Sequence, residues 1–195
     1  MNQPRKVITF DIDEHGLLGV HAISVVERPA MEEMFVALSD VKMSAVDSER
    51  RMIYGAILVP DKEILRIDPN TNEEYFVKFP KEVVMKVAHG YLTKNQHHNA
   101  TYEHAVEVDG MTLVESWLKE GEADKSVQLG LNAELPDFTW FGGMYVTNDE
   151  VWEKVKAGEV KGFSIEGRFA ELSEQMMSVN AMLAEIEQIV KSHTS

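Results

Sequence analysis

The chain has 195 residues, 44% of them apolar and 27% charged, the profile of one folded domain with a real core rather than a disordered or fibrous chain. Its net charge of −14 argues against a nucleic-acid groove or an anionic-lipid surface, since both need clustered Lys and Arg. The absence of cysteine removes disulfides, thiolate metal sites and a cysteine nucleophile, and suits a cytosolic setting; no run has the length of a membrane span or a signal-peptide core.

Residues 5–28 read as two short strands, KVITFDI and GVHAISVV, joined by the polar turn DEHG and closed by Pro29. The segment AMEEMFVALS follows, then a polar stretch over 39–51 with the composition of a linker. A new unit opens with the strand MIYGAILV and a turn at Pro60-Asp61, and a second strand pair flanks the turn residues DPNTNEE. Val83, Val84, Val87, Ala88 and Tyr91 have helical spacing, with Pro80 suited to the first turn. HAVEVDGMTLVESWL alternates as a hairpin turning at Asp109-Gly110, and FTWFGGMYV reads as another strand. NDEVWEKVKAGEV predicts a helix with its N-cap at Asn148 or Asp149 and Gly158 at its end, leading into the strand GFSIEGRFAEL. In the tail, Leu172, Met176, Val179, Leu183, Ile186 and Val190 step by heptad spacing. That helix either packs on its own domain or serves self-association or scaffold tethering.

Candidate chemistry centres on VKGFSIEG. Ser164 between Gly162 and Gly167 is either a nucleophile at a strand entry or a small polar residue in a turn. The G-x-S-x-G elbow of α/β-hydrolases does not fit: the spacing is one residue too long, helix precedes strand, and the only later histidine is His193. A catalytic Ser164 therefore needs a base upstream, where histidines cluster at 89, 97, 98 and 104. His98, Glu103 and His104 could be read as metal ligands, but adjacent histidines in an Asn-rich loop more often face solvent, and no H-E-x-x-H is present. His104 opens an alternating strand on this reading, so its ring could be immobilised as a general base requires, although a lone strand histidine is more often structural. DIDEHG lacks the twelfth-position Glu of a calcium loop, and DPNTNE puts Glu73 where that loop needs Gly. Both are better read as turns.

Four segments in order resemble the XkdF-like family of phage prohead serine proteases: HAISVVERPA (21–30), MIYGAILVPD (52–61), the His104 strand with LVESW (113–117), and DEVWEKVKAGEVKGFSIEG (149–167). The resemblance implies an α+β fold, with a mostly antiparallel, β-barrel-like core similar to herpesvirus assemblin, flanking helices and a C-terminal amphipathic helix. It implies N-terminal strands of the core in 1–38, a linker over 39–51, the protease domain over 52–170 and a helical tail over 171–195. Ser164 matches the family's nucleophile and His104 its general base, with His98 as a rival. Glu115, in the matched LVESW, is the preferred third member, and His21 the alternative. In non-permuted relatives an E-x-S strand supplies an acid, and this chain carries Ala22 at that place. Main-chain N–H groups near Gly167 and Arg168 are the implied oxyanion donors. The implied activity is Ser-His acyl transfer without cofactor or metal. Implied substrates are the scaffolding protein, leader segments of the major capsid protein and the protease itself, inside the prohead in the host cytoplasm. The rival expectation is an inactive protease-fold protein of capsid assembly. Neither nucleic acid nor membrane is an expected partner.

Overall fold

A computed structural model describes residues 6–12, 18–27, 45–47, 49–67, 70–131 and 134–171. The β-branched and aromatic runs form twelve strands among these residues: β1 (Val7–Asp11), β2 (Gly19–Val26), β3 (Ala45–Asp47), β4 (Met52–Leu58), β5 (Ile64–Ile67), β6 (Glu74–Lys78), β7 (Ala100–Tyr102), β8 (Val106–Glu107), β9 (Met111–Leu118), β10 (Trp140–Val146), β11 (Gly162–Arg168) and β12 (Ala170–Glu171). Three helices among the described residues join them: α1 (Lys81–Thr93), α2 (Lys125–Gln128) and α3 (Asp149–Lys156). The strands make three four-stranded sheets, ordered β12-β1-β6-β5, β3-β4-β10-β9 and β11-β2-β7-β8. The fold is α+β and mostly antiparallel; β1–β6 and β2–β7 are the parallel pairs among the described strands. None of the three described sheets closes into a barrel. The heptad tail, the segment 30–39, the turn 13–17 and much of the expected linker lie outside the described residues. Within that linker stretch, residues 45–47 form β3 against β4.

Helix α1 follows its apolar period: Val83, Val84, Val87, Ala88 and Tyr91 are the buried face, and Pro80 stands at the N-cap. Helix α3 is capped by Asn148, whose Oδ1 accepts from Val151 N–H at 3.0 Å. Its C-terminus turns through Gly158 at φ +72°, a left-handed position that favours glycine. The chain then rejoins β2 through Lys161 N–H to Val26 C=O at 2.9 Å, which starts the strand that carries Ser164. Between the sheets lies one apolar core, including Ile23, Val25, Ile57, Leu58, Val84, Tyr91, Trp140, Phe141 and Phe163.

One expected pairing differs. β8 and β9 do not form a hairpin about Asp109-Gly110: β8 pairs with β7, and β9 pairs with β10 in another sheet. Gly110, at φ +81°, instead docks on the start of α3, its carbonyl accepting from Thr147 N–H at 2.7 Å. The strand alternation was real, but it belongs to two strands with different neighbours.

Candidate active site

Ser164 lies in the middle of β11. The two-residue period of a strand puts Ser164 and Glu166 on one face and Phe163 and Ile165 on the other. β2 runs antiparallel alongside, with Ser24 opposite Ser164 and Ala22 opposite Glu166. On the far side of β2, β7 runs parallel and places Thr101 beside Ser24. Ser164, Ser24, Thr101 and Glu166 therefore share a polar face, while Phe163, Ile23, Val25 and Ala100 are buried on the opposite one.

His104 does not begin a strand. It sits in the tight turn between β7 and β8, where Glu103 (φ 52°) and His104 (φ 56°) are both left-handed and Ala105 N–H donates to Tyr102 C=O at 3.1 Å. Left-handed backbone at both central turn residues ordinarily selects Asn and Gly, so this conformation has to be held by its surroundings. Glu103 N–H donates to Val25 C=O at 3.1 Å, and the Glu103 carboxylate accepts from Glu27 N–H. His104 N–H donates to Ser24 Oγ at 3.0 Å, and that hydroxyl donates to Thr101 C=O at 3.4 Å.

The turn delivers the His104 ring to a carboxylate. Nδ1 lies 3.2 Å from Glu166 Oε1, and the Thr101 hydroxyl donates to the same oxygen. The other carboxylate oxygen, Oε2, is 4.0 Å from His21 Nε2. His21 reaches it because the β2–β11 register shifts there: Glu166 pairs with Ala22 and Gly167 with Val20, so His21 is the extra residue of a bulge. No hydrogen bond joins His104 to Ser164, which is buried at the base of the polar face. A cavity of about 440 Å³ opens beside His104 and Glu166; its walls include His21, His98, Thr101 and Glu107 but not Ser164.

The other expected site residues lie elsewhere. Glu115 is on β9, in a different sheet, where it accepts from the Tyr54 hydroxyl at 3.2 Å and pairs with Lys125. The structure does not bring it to His104. His98 lines the cavity, but its Nδ1 is 3.0 Å from Thr112 Oγ1. With Glu103 committed to the Glu27 main chain, His98, Glu103 and His104 do not converge, and no group of three His, Asp or Glu side chains among the described residues is arranged around a metal position. Gly167 and Arg168 pair with Val20 and Gly19 on a strand at the edge of its sheet. The missing Gly167 side chain makes room for protein: an added Cβ would stand 2.5 Å from Gly19 O and 2.7 Å from the Phe169 ring. The residue that the sequence reading missed is Glu166. Its signal was available in the strand period, two residues beyond Ser164 on the same face.

The Glu115 neighbourhood has a structural role of its own. Asp124 caps α2 and accepts from Ser126 N–H at 2.8 Å, Trp117 Nε1–H at 3.1 Å and Glu120 N–H at 3.2 Å. Burial alone would raise the Asp124 carboxyl, but the hydrogen bonds from Ser126, Trp117 and Glu120 outweigh it and hold it below its ordinary value. Its contribution is thus complete above the unfolded carboxyl value of about 3.9 and is lost as pH falls through the lower folded one. Asp124→Ala is expected to cost about 1 kcal/mol near neutral pH, as loss of a helix cap does. Denaturant melts at a series of pH values should show that penalty shrinking below about pH 4.

Residues 40–174 match the family described as "Putative phage serine protease XkdF", a span that contains His104, Ser164 and Glu166. The curated protein "Phage-like element PBSX protein XkdF" of Bacillus subtilis (strain 168) is 29% identical over 121 residues, covering 61% of this chain and 37% of that protein. The match thus spans little more than a third of the relative's length. No solved structure matches the chain. Among the described residues no helix is long and apolar enough to cross a membrane. With the family match covering more than half of its length, the chain belongs to the XkdF family of phage proteins.

Proposed function

We propose that this chain is a serine endopeptidase of phage head maturation, with Ser164 as nucleophile, His104 as general base and Glu166 as the carboxylate that orients the base. The observation that carries the reading is the 3.2 Å approach of His104 Nδ1 to Glu166 Oε1, on the strand face that presents Ser164 two residues away. A carboxylate at Nδ1 places the imidazole proton there and leaves the Nε2 lone pair to accept another. His104 Nε2 then takes the Ser164 proton as Oγ bonds to the substrate carbonyl carbon. The proton passes to the leaving amine as the peptide C–N bond breaks. Water, deprotonated by the same imidazole, releases the acyl group and regenerates Ser164. His104 and Ser164 need only close to hydrogen-bond reach, a contact that commonly tightens when substrate binds. The substrates are scaffolding protein and leader segments of the major capsid protein, met inside the prohead, in keeping with the phage-like element that holds the curated relative.

The reading is tested by incubation with a fluorophosphonate and measurement of intact mass. Wild type is expected to gain one phosphonyl group on Ser164, and Ser164→Ala none. Co-expression with the scaffold and capsid proteins should give cleavage by wild type only. A chain that takes no label and leaves both proteins whole would be an inactive, protease-fold assembly protein.

A further inference from the structure

We infer that Ser24 is a positioning residue for His104, and that β2, N-terminal to the family-matched span, is part of the catalytic unit. The inference rests on the assignment of Ser164 and His104 above. Ser24 is fully buried on the central strand between the one that carries Ser164 and the one that leads to His104. It stands directly across from Ser164 on one side and from Thr101 on the other. Buried serine in a strand of Ala, Ile and Val needs both hydrogen-bond roles of its hydroxyl filled. Here the two roles are filled by the turn: Oγ accepts from His104 N–H at 3.0 Å and donates to Thr101 C=O at 3.4 Å.

The consequence follows from the backbone. His104 adopts φ +56°, and its main-chain N–H would otherwise lack a fixed partner. The Ser24 hydroxyl ties that N–H to the strand beside Ser164 and, together with the Glu103 N–H to Val25 C=O bond, holds the turn that carries the base against that strand. Thr101, whose carbonyl Ser24 also holds, gives its own hydroxyl to Glu166 Oε1. Ser24 thereby bonds the main chain of both residues that engage Glu166 Oε1. It touches no reacting atom itself. Alanine at position 24 would keep the strand and remove only the hydroxyl.

The test compares wild type, Ser24→Ala, His104→Ala and the double variant for the rate of Ser164 phosphonylation, together with amide hydrogen exchange at His104. Ser24→Ala is expected to slow labelling tenfold or more and to speed exchange of the His104 amide at least tenfold, with the amides of α1 unchanged. Because Ser24 acts through the base, it should have no further effect once His104 is alanine. Equal labelling and exchange in Ser24→Ala would overturn the inference, as would a full additional loss in the double variant, which marks general loosening of the fold. If wild type takes no label, the nucleophile assignment fails and the exchange measurement alone decides on Ser24. Should Ser24→Ala fail to fold, an unprotected His104 amide in wild type would overturn the inference, and an amide protected at least a hundredfold would support it.

Discussion

Glu166→Gln is expected to slow acylation of Ser164 by about 10³- to 10⁴-fold, the scale on which a serine hydrolase suffers when the carboxylate behind its histidine becomes an amide. The reason is the tautomer. Gln offers one acceptor and one donor in place of two acceptors, and an NH₂ at the position of Oε1 can donate both to His104 Nδ1 and to a Thr101 hydroxyl that turns to accept. That moves the imidazole proton to Nε2, the atom that has to be free. Stopped assays of fluorophosphonate labelling read the effect directly. Glu115→Gln provides the comparison: it breaks the Lys125 pair on another sheet and should leave the labelling rate within about threefold of wild type, as distant surface substitutions do. A second comparison uses the register. Ala22 is the cross-strand partner of Glu166, and directly opposed Cβ atoms are about 4.5–5.5 Å apart. In Glu166→Ala, adding Ala22→Glu should therefore return a carboxylate to the same space and recover at least tenfold of the lost rate. Equal labelling by wild type and Glu166→Gln would remove Glu166 from the mechanism.

This relation between Ala22 and Glu166 marks the boundary of what was legible. The period along α1, the caps of α3 and the apolar, β-branched or aromatic runs of β4, β10 and β11 are local signals, and each element formed where its residues indicated. Ser164 and His104 entered through matched segments, and the structure sets His104 against the carboxylate of Glu166, two residues along the strand from Ser164. Glu115, the preferred third member, is close to His104 in sequence, whereas the carboxylate beside His104 in space is Glu166. The period of β11 puts Glu166 on the face of Ser164, but its pairing with residue 22 has no local signature, so what stands beside that carboxylate could not be read from either segment alone. The His104 turn was hidden for a related reason. Nothing in Glu103-His104 specifies left-handed backbone; the hydrogen bonds to Val25 C=O and Ser24 Oγ and from Glu27 N–H impose it, and those residues lie far earlier in the chain. Neither β7 nor α2 was expected, since runs of three and four residues are too short to express a period.

The largest stability effect is expected at the other end of the core. Trp140 is completely buried at the start of β10, with its ring edge-on to Tyr91 of α1 at 5.7 Å and its Nε1–H donated to Ser116 Oγ at 2.9 Å. Trp140→Ala removes the indole from a packed interior, opens a cavity and leaves the Ser116 hydroxyl without this donor, for a loss of about 3–5 kcal/mol. For a chain of this size that corresponds to a melting temperature lower by roughly 6–20 °C. Trp140→Phe should cost less, because a ring still meets Tyr91 and only the indole hydrogen bond and part of the volume are lost. A route from this core to the site exists: the Tyr91 hydroxyl donates to Asn99 C=O at 2.8 Å, and the Asn99 side chain donates to His21 C=O at 3.0 Å. Yet the polar face of Ser164, Glu166 and His104 is held by β2 and β7 through bonds that Trp140 does not make. Well below its own melting temperature, Trp140→Ala should therefore label at Ser164 within about threefold of wild type, an uncoupling expected of sites with no shared partners. A large loss of labelling in the folded variant would mean that Tyr91 and Asn99 transmit the core to the site.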